Sequence, residues 1–553
     1  MRAFFIGVAA ALAVVSGSAT AAGFICSPGS YLSARFAADQ FDFEKAATLY
    51  RDCLNGDKND IGLLQMAFYY STAAGQIDQS AALAKRIVAI SSDVKAAHLT
   101  LAVEAMKRRD YREARAEIAK AVAGKGAPYT FTIIGAWIAA GQGEESAAAA
   151  DLKAVKARDG AARFADFNAA LIADSLGHAA EAEAGYGRLW ANAADRTPRL
   201  IEAYGRFLEQ AGRRDEAKAL YETAIRSGNN EMMAASNLRR MARGEKPAPF
   251  VASLQDGVAE VLFTVAASMD DAEPDNNAVL FLRLALYLRP DLDIAKVMLA
   301  ERLANNGKHE AAIALYDEIP PASTYYMHAR MMRAGSESES GNDQAALKDL
   351  LRLADENPDN VDVWMALGDC RRRLGNSGEA IAAFSKAIAL TVPKDKKAWR
   401  LYFARAVSEQ EAGNWPGAEA DLKAALSFAP DEPQVLNYLG YSWVDQGNHL
   451  DEALNMLKKA RDIDPSNGLI ADSVGWAYYR LGRYAEAVMQ LEQAVVLAPG
   501  NAIIDDHLGD AYWKIGRKLE AQFQWNHALT FGPDDKEKAE IGKKLEVGLA
   551  DEK

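Results

Sequence analysis

The sequence is poor in cysteine, with three in 553 residues at positions 26, 53 and 370. That excludes a disulfide-stapled scaffold. With no Cys-x-x-Cys pair, it also offers neither a structural zinc site nor a dithiol redox centre. The seven histidines are scattered, without the His-Glu-x-x-His arrangement or any comparable ligand spacing. Neither the Gly-x-Ser-x-Gly elbow nor the phosphate-cradling Gly-x-x-x-x-Gly-Lys loop occurs, and no strand pattern exists to carry one. His507 follows Asp505 and Asp506, but its place in the chain sets it against the turn of its own helical hairpin, where a structural role is expected. Asp505, Asp506 and Asp510 sit on a rigid helix that lacks the loop geometry of a calcium site. An enzyme is therefore not expected, and no catalytic residue, cofactor or metal ligand is assigned.

Positive charge is also in deficit. Sixty-three Lys and Arg against 76 Asp and Glu give a net charge of −13, which argues against nucleic acid or an anionic membrane as the general partner. Beyond the first residues no stretch of about 18 apolar residues runs without charge, so no membrane span is expected in the mature protein. What is abundant is ordinary globular material, 50% hydrophobic and 25% charged, enough to bury a core and too apolar for a disordered chain.

Residues 1–22, MRAFFIGVAAALAVVSGSATAA, have one early Arg, an apolar run from Ala3 to Val15 and a small-residue Ala-Thr-Ala end. This is the order of a secretory leader, with cleavage expected after Ala21 or Ala22 and a periplasmic destination, soluble or peripheral at the outer membrane. Phe24 and Ile25 before Cys26 do not fit a lipid-anchor box. Export permits cysteine oxidation, so a Cys26–Cys53 disulfide is one possibility and a packed free Cys53 the other.

The chain then repeats itself. LGYSWVDQG from Leu439, VGWAYYRLG from Val474 and LGDAYWKIG from Leu508 place Gly440, Gly475 and Gly509 at intervals of 35 and 34 residues. Each block is followed by a second helical pattern of small, large and small residues: Ala453, Leu457, Ala460; Ala487, Leu491, Ala494; Ala521, Trp525, Ala528. Pro465 and Pro499 punctuate the loops. Small residues at the eighth position of the first helix and early in the second let the two helices approach closely. Large residues fill the gaps between hairpins, so the core comes only from stacking. This is the tetratricopeptide (TPR) signature. It can be laid back through Trp364, Leu367, Gly368, Ala380 and Phe384 to Ala46 and Tyr50. The fold expected is all-α, a TPR superhelical solenoid of roughly twelve to fourteen antiparallel helical hairpins.

Two stretches break the phase. Residues 226–292 contain GEKPAP and a long apolar helix from about Leu254 to Met269, and read as a divergent helical junction and hinge between two lobes. SESESGND near residue 336 reads as an exposed loop. The division expected is leader 1–22, N-terminal lobe 23–225, junction 226–292, C-terminal lobe 293–534, and a capping helix and tail 535–553.

First helices of such hairpins line a concave face, and helical periodicity selects the side chains that point there. In the last three clean repeats these are Asn437, Tyr441, Val444 and Asp445; Asp472, Trp476, Tyr479 and Arg480; and Asp506, Asp510, Trp513 and Lys514. An earlier repeat offers Met365, Asp369, Arg372 and Arg373. The wall is aromatic with carboxylates at its base. Trp476 and Trp513 either serve there as binding anchors or pack between hairpins. The acidity suits a protein or peptide partner of basic or polar character, and the Lys, Asn and Arg cluster that would grip a chain-terminal carboxylate is not evident.

From about Tyr31 to Leu549 the chain resembles exported TPR proteins of alphaproteobacteria, in the strings LNYLGYSWVDQGNHLDEAL (436–454), DSVGWAYYRLGRYAEAV (472–488) and DDHLGDAYWKIGRKLEAQFQWNHAL (505–529). The resemblance implies an all-helical scaffold of the cell envelope. The function expected is a non-enzymatic interaction scaffold or adaptor, docked for example to an outer-membrane or secretion assembly. The alternative is a binding module for peptidoglycan, polysaccharide or small peptides.

Overall fold

The computed structural model describes residues 26–54, 58–123, 128–227, 231–269, 277–391 and 396–549. The leader expected at residues 1–22 lies outside them. Thirty α-helices and two short 3-10 turns form the described residues, and no strand occurs among them. The all-α array of antiparallel hairpins is therefore what the chain builds.

The hairpins owe their closeness to the small residues of the repeat. Helices Gly468–Arg480 and Tyr484–Leu497 approach until a Cβ on Gly475 would stand 2.6 Å from Leu491 Cγ. Ala487, Leu491 and Ala494 are completely buried beneath that contact. The turn between the helices needs a left-handed residue, and Gly482 supplies it at φ 74°. Asn467 and Asn501 cap the next first helices, each side chain accepting from two backbone N–H groups.

Contacts divide the chain into two units, Met1–Asn342 and Asp343–Lys553. In the first, a disulfide joins Cys26, just before helix Pro28–Asp39, to Cys53 at the end of helix Phe43–Cys53, with Cα atoms 4.6 Å apart. Residues 226–292 do not stand between lobes. They lie wholly within the first unit, where helices Leu254–Ala267 and Asn277–Leu288 form a hairpin laid against the first helices of earlier repeats, Ile61–Ala73, Lys95–Lys107 and Tyr129–Gly141. The physical reason is apolarity. Both helices are buried along most of their length, and only another apolar surface can take them. The seating is intimate: a Cβ on Gly257 would come within 2.3 Å of the fully buried Trp137, and one on Gly141 within 1.7 Å of Leu254. Arg283 Nε donates to the Ala73 carbonyl at 3.0 Å, and Gln255 donates to the Tyr111 hydroxyl at 3.0 Å.

The GEKPAP stretch is likewise tethered. Phe250, immediately after it, is buried under the Arg199 guanidinium, 4.4 Å from the ring centroid. Arg199 pairs with Glu202 and Glu260, and the Tyr325 hydroxyl donates to Glu202 at 2.7 Å, a buried ionic knot linking helices Pro198–Gln210 and Leu254–Ala267. The serine-glutamate stretch is helix, not loop, as far as Glu339. Ser336 and Glu337 are buried, and Arg333 pairs with Glu337 at 3.1 Å.

In the second unit five hairpins follow helix Asp343–Glu356, from Val361–Arg373 with Ser377–Leu390 to Ala502–Lys514 with Lys518–Thr530. A terminal helix, Asp535–Val547, begins with a reciprocal capping box between Asp534 and Glu537. Leu422, Leu439, Leu457, Val474, Leu491, Leu508 and Trp525 run through a single core.

Candidate functional site

The site is built on the first helices of the second unit: Val361–Arg373, Trp399–Glu411, Pro433–Asp445, Gly468–Arg480 and Ala502–Lys514. Repetition at 34 or 35 residues brings equivalent positions of these helices side by side, so a row of side chains forms across them.

Asp472, Trp476 and Tyr479 come together. Trp476 lies between Tyr479, at 4.6 Å and 7° between planes, and His507 of the next repeat, at 4.0 Å and 12°. His507 Nδ1 is hydrogen-bonded to Asp472 at 2.9 Å. His507 thus faces the preceding repeat rather than the turn of its own hairpin. Burial opposes its protonation, but Asp472, with Asp506 and Asp510 nearby, more than compensates and raises the imidazole pKa. Tyr479 meets Tyr484 edge-on at 5.3 Å. Trp476 therefore joins adjacent repeats while remaining half-exposed. Its Nε1, and Asn437 Oδ1 one repeat upstream, are buried polar atoms with no hydrogen-bond partner.

Tyr441 is half-buried, and its phenol is pushed up to about 12, chiefly by burial and then by the negative charges of Asp472, Asp445 and Glu537. Asp445 is exposed, and its backbone carbonyl accepts from Arg480 at 2.9 Å, which ties Arg480 to the neighbouring repeat. Val444 corrects the sequence reading. It is fully buried in the core, because the first helix turns this position toward its hairpin partner.

Asp506, Asp510 and Trp513 gather under the terminal helix. Lys544 Nζ reaches both Asp506 oxygens, at 2.8 and 2.7 Å, and Asp510 at 2.9 Å. Asp510 also accepts from Trp525 Nε1 at 3.0 Å. Burial raises the Asp510 carboxyl to about 6 despite the ammonium, while the two carboxylates keep Lys544 charged against its own burial. Trp513 has its ring under Gly548, where a Cβ would come within 1.9 Å, and the Lys518 ammonium lies 3.6 Å from the ring centroid. Lys514 is half-buried on the same helix. Sequence reasoning missed Lys544 and Gly548 because they lie outside the repeat frame.

Upstream, the first helices leave an open cleft. A cleft of about 290 Å³ is lined by Met365, Asp369, Arg372, Trp399, Phe403 and Val407. Burial raises the Asp369 carboxyl, outweighing Arg372 and Arg373. Arg372 pairs with Glu411 at 3.2 Å across the cleft rim. Trp399, Phe403 and Tyr438 form a separate aromatic group, with Phe403 edge-on to Tyr438 at 5.4 Å. The repeat frame places Trp399 at the start of a hairpin but does not select it or Phe403 for this site, in a helix that has Ala406 where the others have Gly.

Residues 331–392, 403–468 and 475–535 match the tetratricopeptide repeat family model. These three stretches of the second half are similar to tetratricopeptide repeats. A TPR repeat-containing protein of Pseudomonas aeruginosa is 25% identical over 188 residues, which is 34% of this chain and 31% of that protein. The chain thus matches about a third of that relative's length. Among solved structures, a tetratricopeptide repeat protein from Parabacteroides merdae is 13% identical with a TM-score of 0.37, covering 47% of this chain and 99% of that one. Pseudomonas aeruginosa pilF is 20% identical with a TM-score of 0.30, covering 34% of this chain and 82% of that one.

Stacked helical repeats create extended surfaces of the kind used for binding. Among the described residues no group of three or more His, Cys, Asp or Glu is placed to hold a metal ion, and no helix is long and apolar enough to cross a membrane.

Proposed function

We propose that this protein is an interaction scaffold of the bacterial cell envelope that holds a protein or peptide partner along the inner face of its C-terminal repeats. The observation that carries the reading is a pair of aromatic groups on the first helices of these repeats, Trp399, Phe403 and Tyr438 in one and Trp476 and Tyr479 in the other. Trp399 and Phe403 line an open cleft, and near Trp476 two buried polar atoms, Asn437 Oδ1 and Trp476 Nε1, have no hydrogen-bond partner. Large rings at low entropy cost anchor a partner, and unpaired buried polar atoms gain most from a partner's complementary groups. The leader sequence at residues 1–22 and a Cys26–Cys53 disulfide support an oxidising, exported location.

The test is cross-linking of the full chain in cells, with a Phe403→Ala, Arg372→Ala variant beside it and folding checked by circular dichroism. A protein recovered with the wild type and lost with the variant supports the reading. Equal recovery moves the binding face elsewhere. Retention on isolated peptidoglycan with no protein recovered replaces a protein partner with an envelope polymer.

A further inference from the structure

The terminal helix Asp535–Val547 sits on the face assigned above to a partner. Lys544 inserts between Asp506 and Asp510, and Gly548 covers Trp513. Ile541 is 2% exposed in the core of the unit, with Leu545 and Leu549 half-buried against it. Beside its packing on Lys518–Thr530, the helix is therefore held against the acidic residues and Trp513 of Ala502–Lys514.

Its attachment is slight. Ile541 is the single fully buried residue of its thirteen, five of the others are lysine or glutamate with exposed side chains, and the link to the preceding helix is Phe531-Gly532-Pro533-Asp534 with Gly532 at φ 66°. Most of what holds it is the Lys544 ion pair and one row of aliphatics at positions 541, 545 and 549.

We propose that the terminal helix is a displaceable occupant of the groove, and that the partner presents the same chemistry in trans: an amphipathic helix carrying aliphatic side chains four residues apart and a lysine three residues after the first. The inference rests on the inner-face reading. Asp506 and Asp510 receive the lysine, Trp513 and the Ile541 site receive the aliphatics, and the terminal helix swings out on the 531–534 link. Such binding is charge-assisted and weakens with salt.

The experiment uses a fluorescent peptide of residues 533–549 as the probe and the full chain as the receptor. Lys544→Glu and Ile541→Asp are two independent release variants, and amide exchange over 535–547 reports whether the helix has left. Release is expected in both. The peptide then binds them at least about tenfold more tightly than it binds the wild type, since the free site is no longer a minor population. Adding Asp506→Asn and Asp510→Asn removes that gain.

Unchanged exchange protection in both variants overturns the proposal, as does a released helix with no gain in peptide affinity. A concentration-dependent wild-type dimer that both variants abolish overturns it in favour of exchange between copies. Failure of the peptide while Phe403→Ala, Arg372→Ala still abolishes partner recovery refutes this inference alone and leaves the inner-face reading standing.

Discussion

Gly509→Ala tests whether close approach, and not conformational freedom, explains the repeat glycines. The new Cβ would lie 2.5 Å from Trp525 Cδ1 and Nε1. Trp525 has no room to retreat: it is completely buried, donates to Asp510 at 3.0 Å and lies 5.3 Å from the Trp513 ring. Forcing a methyl into such a core costs roughly 1–3 kcal/mol. If the ring shifts, the bond to a buried carboxylate goes too, another ~1.5–3 kcal/mol. Against these, replacing Gly by Ala inside a helix gains about 1 kcal/mol. The net expectation is a loss of about 2–4 kcal/mol in the last hairpin. Gly516→Ala is the control. It has φ 84° and nothing within 4 Å, so only the left-handed conformation is penalised, by about 1 kcal/mol. Because repeats unfold piecewise, the measurement is amide exchange over 502–530 alongside urea denaturation. Gly509→Ala matching the wild type, or costing no more than Gly516→Ala, would refute the reasoning.

Three further expectations follow from other parts of the molecule. Arg199→Met leaves Glu260 buried without its ionic partner and Glu202 with only Arg206 and the Tyr325 hydroxyl, and should cost the first unit about 3–5 kcal/mol in urea unfolding. Cys53→Ala, or reduction, opens a bridge spanning 27 residues and should lower stability by about 2–4 kcal/mol, read by melting with and without reductant. Melting of the second unit should fall as pH rises through about 6: folded Asp510 holds its proton to about 6 whereas the unfolded carboxyl releases it lower, and His507, raised when folded, stabilises below its unfolded pKa and loses that as pH climbs past its folded one. Asp510→Asn should flatten the acidic part of that slope, and an unchanged slope would count against the assignment.

The repeats were legible because close helix approach leaves a mark at single positions. Gly440, Gly475 and Gly509 face Leu457, Leu491 and Trp525, and no larger residue fits there without displacing its neighbour. The inserted hairpin carried no such mark. Helices Leu254–Ala267 and Asn277–Leu288 are apolar on most sides, so their periodicity does not say which surface they cover. Ser336 and Glu337 looked like loop by composition, yet Arg333 and the surrounding core hold them in helix. At the site, period alone placed Asp472, Trp476, Asp506 and Asp510 on one face, whereas Val444 fell on the other side of the same stripe. Nothing in the repeat frame could reveal Lys544, whose role depends on where the terminal helix folds back.

In each unit, then, the chain supplies part of the cover for its own first helices. In the first, the inserted hairpin lies against Ile61–Ala73, Lys95–Lys107 and Tyr129–Gly141, held by Trp137, Leu254 and Arg283 over large apolar contacts. In the second, the terminal helix lies over Ala502–Lys514 on little more than one lysine and one aliphatic row. The difference is energetic. A buried apolar hairpin cannot leave without exposing most of its surface to water at about 25 cal/mol per Å², whereas a mostly solvated helix gives up few contacts on leaving. Under the proposed reading the second unit therefore offers a partner two places to dock. The cleft around Met365, Trp399 and Phe403 is available outright, and the acidic floor at Asp506 and Asp510 becomes available when Lys544 withdraws. A partner long enough to engage both would draw affinity from the first and specificity from the second.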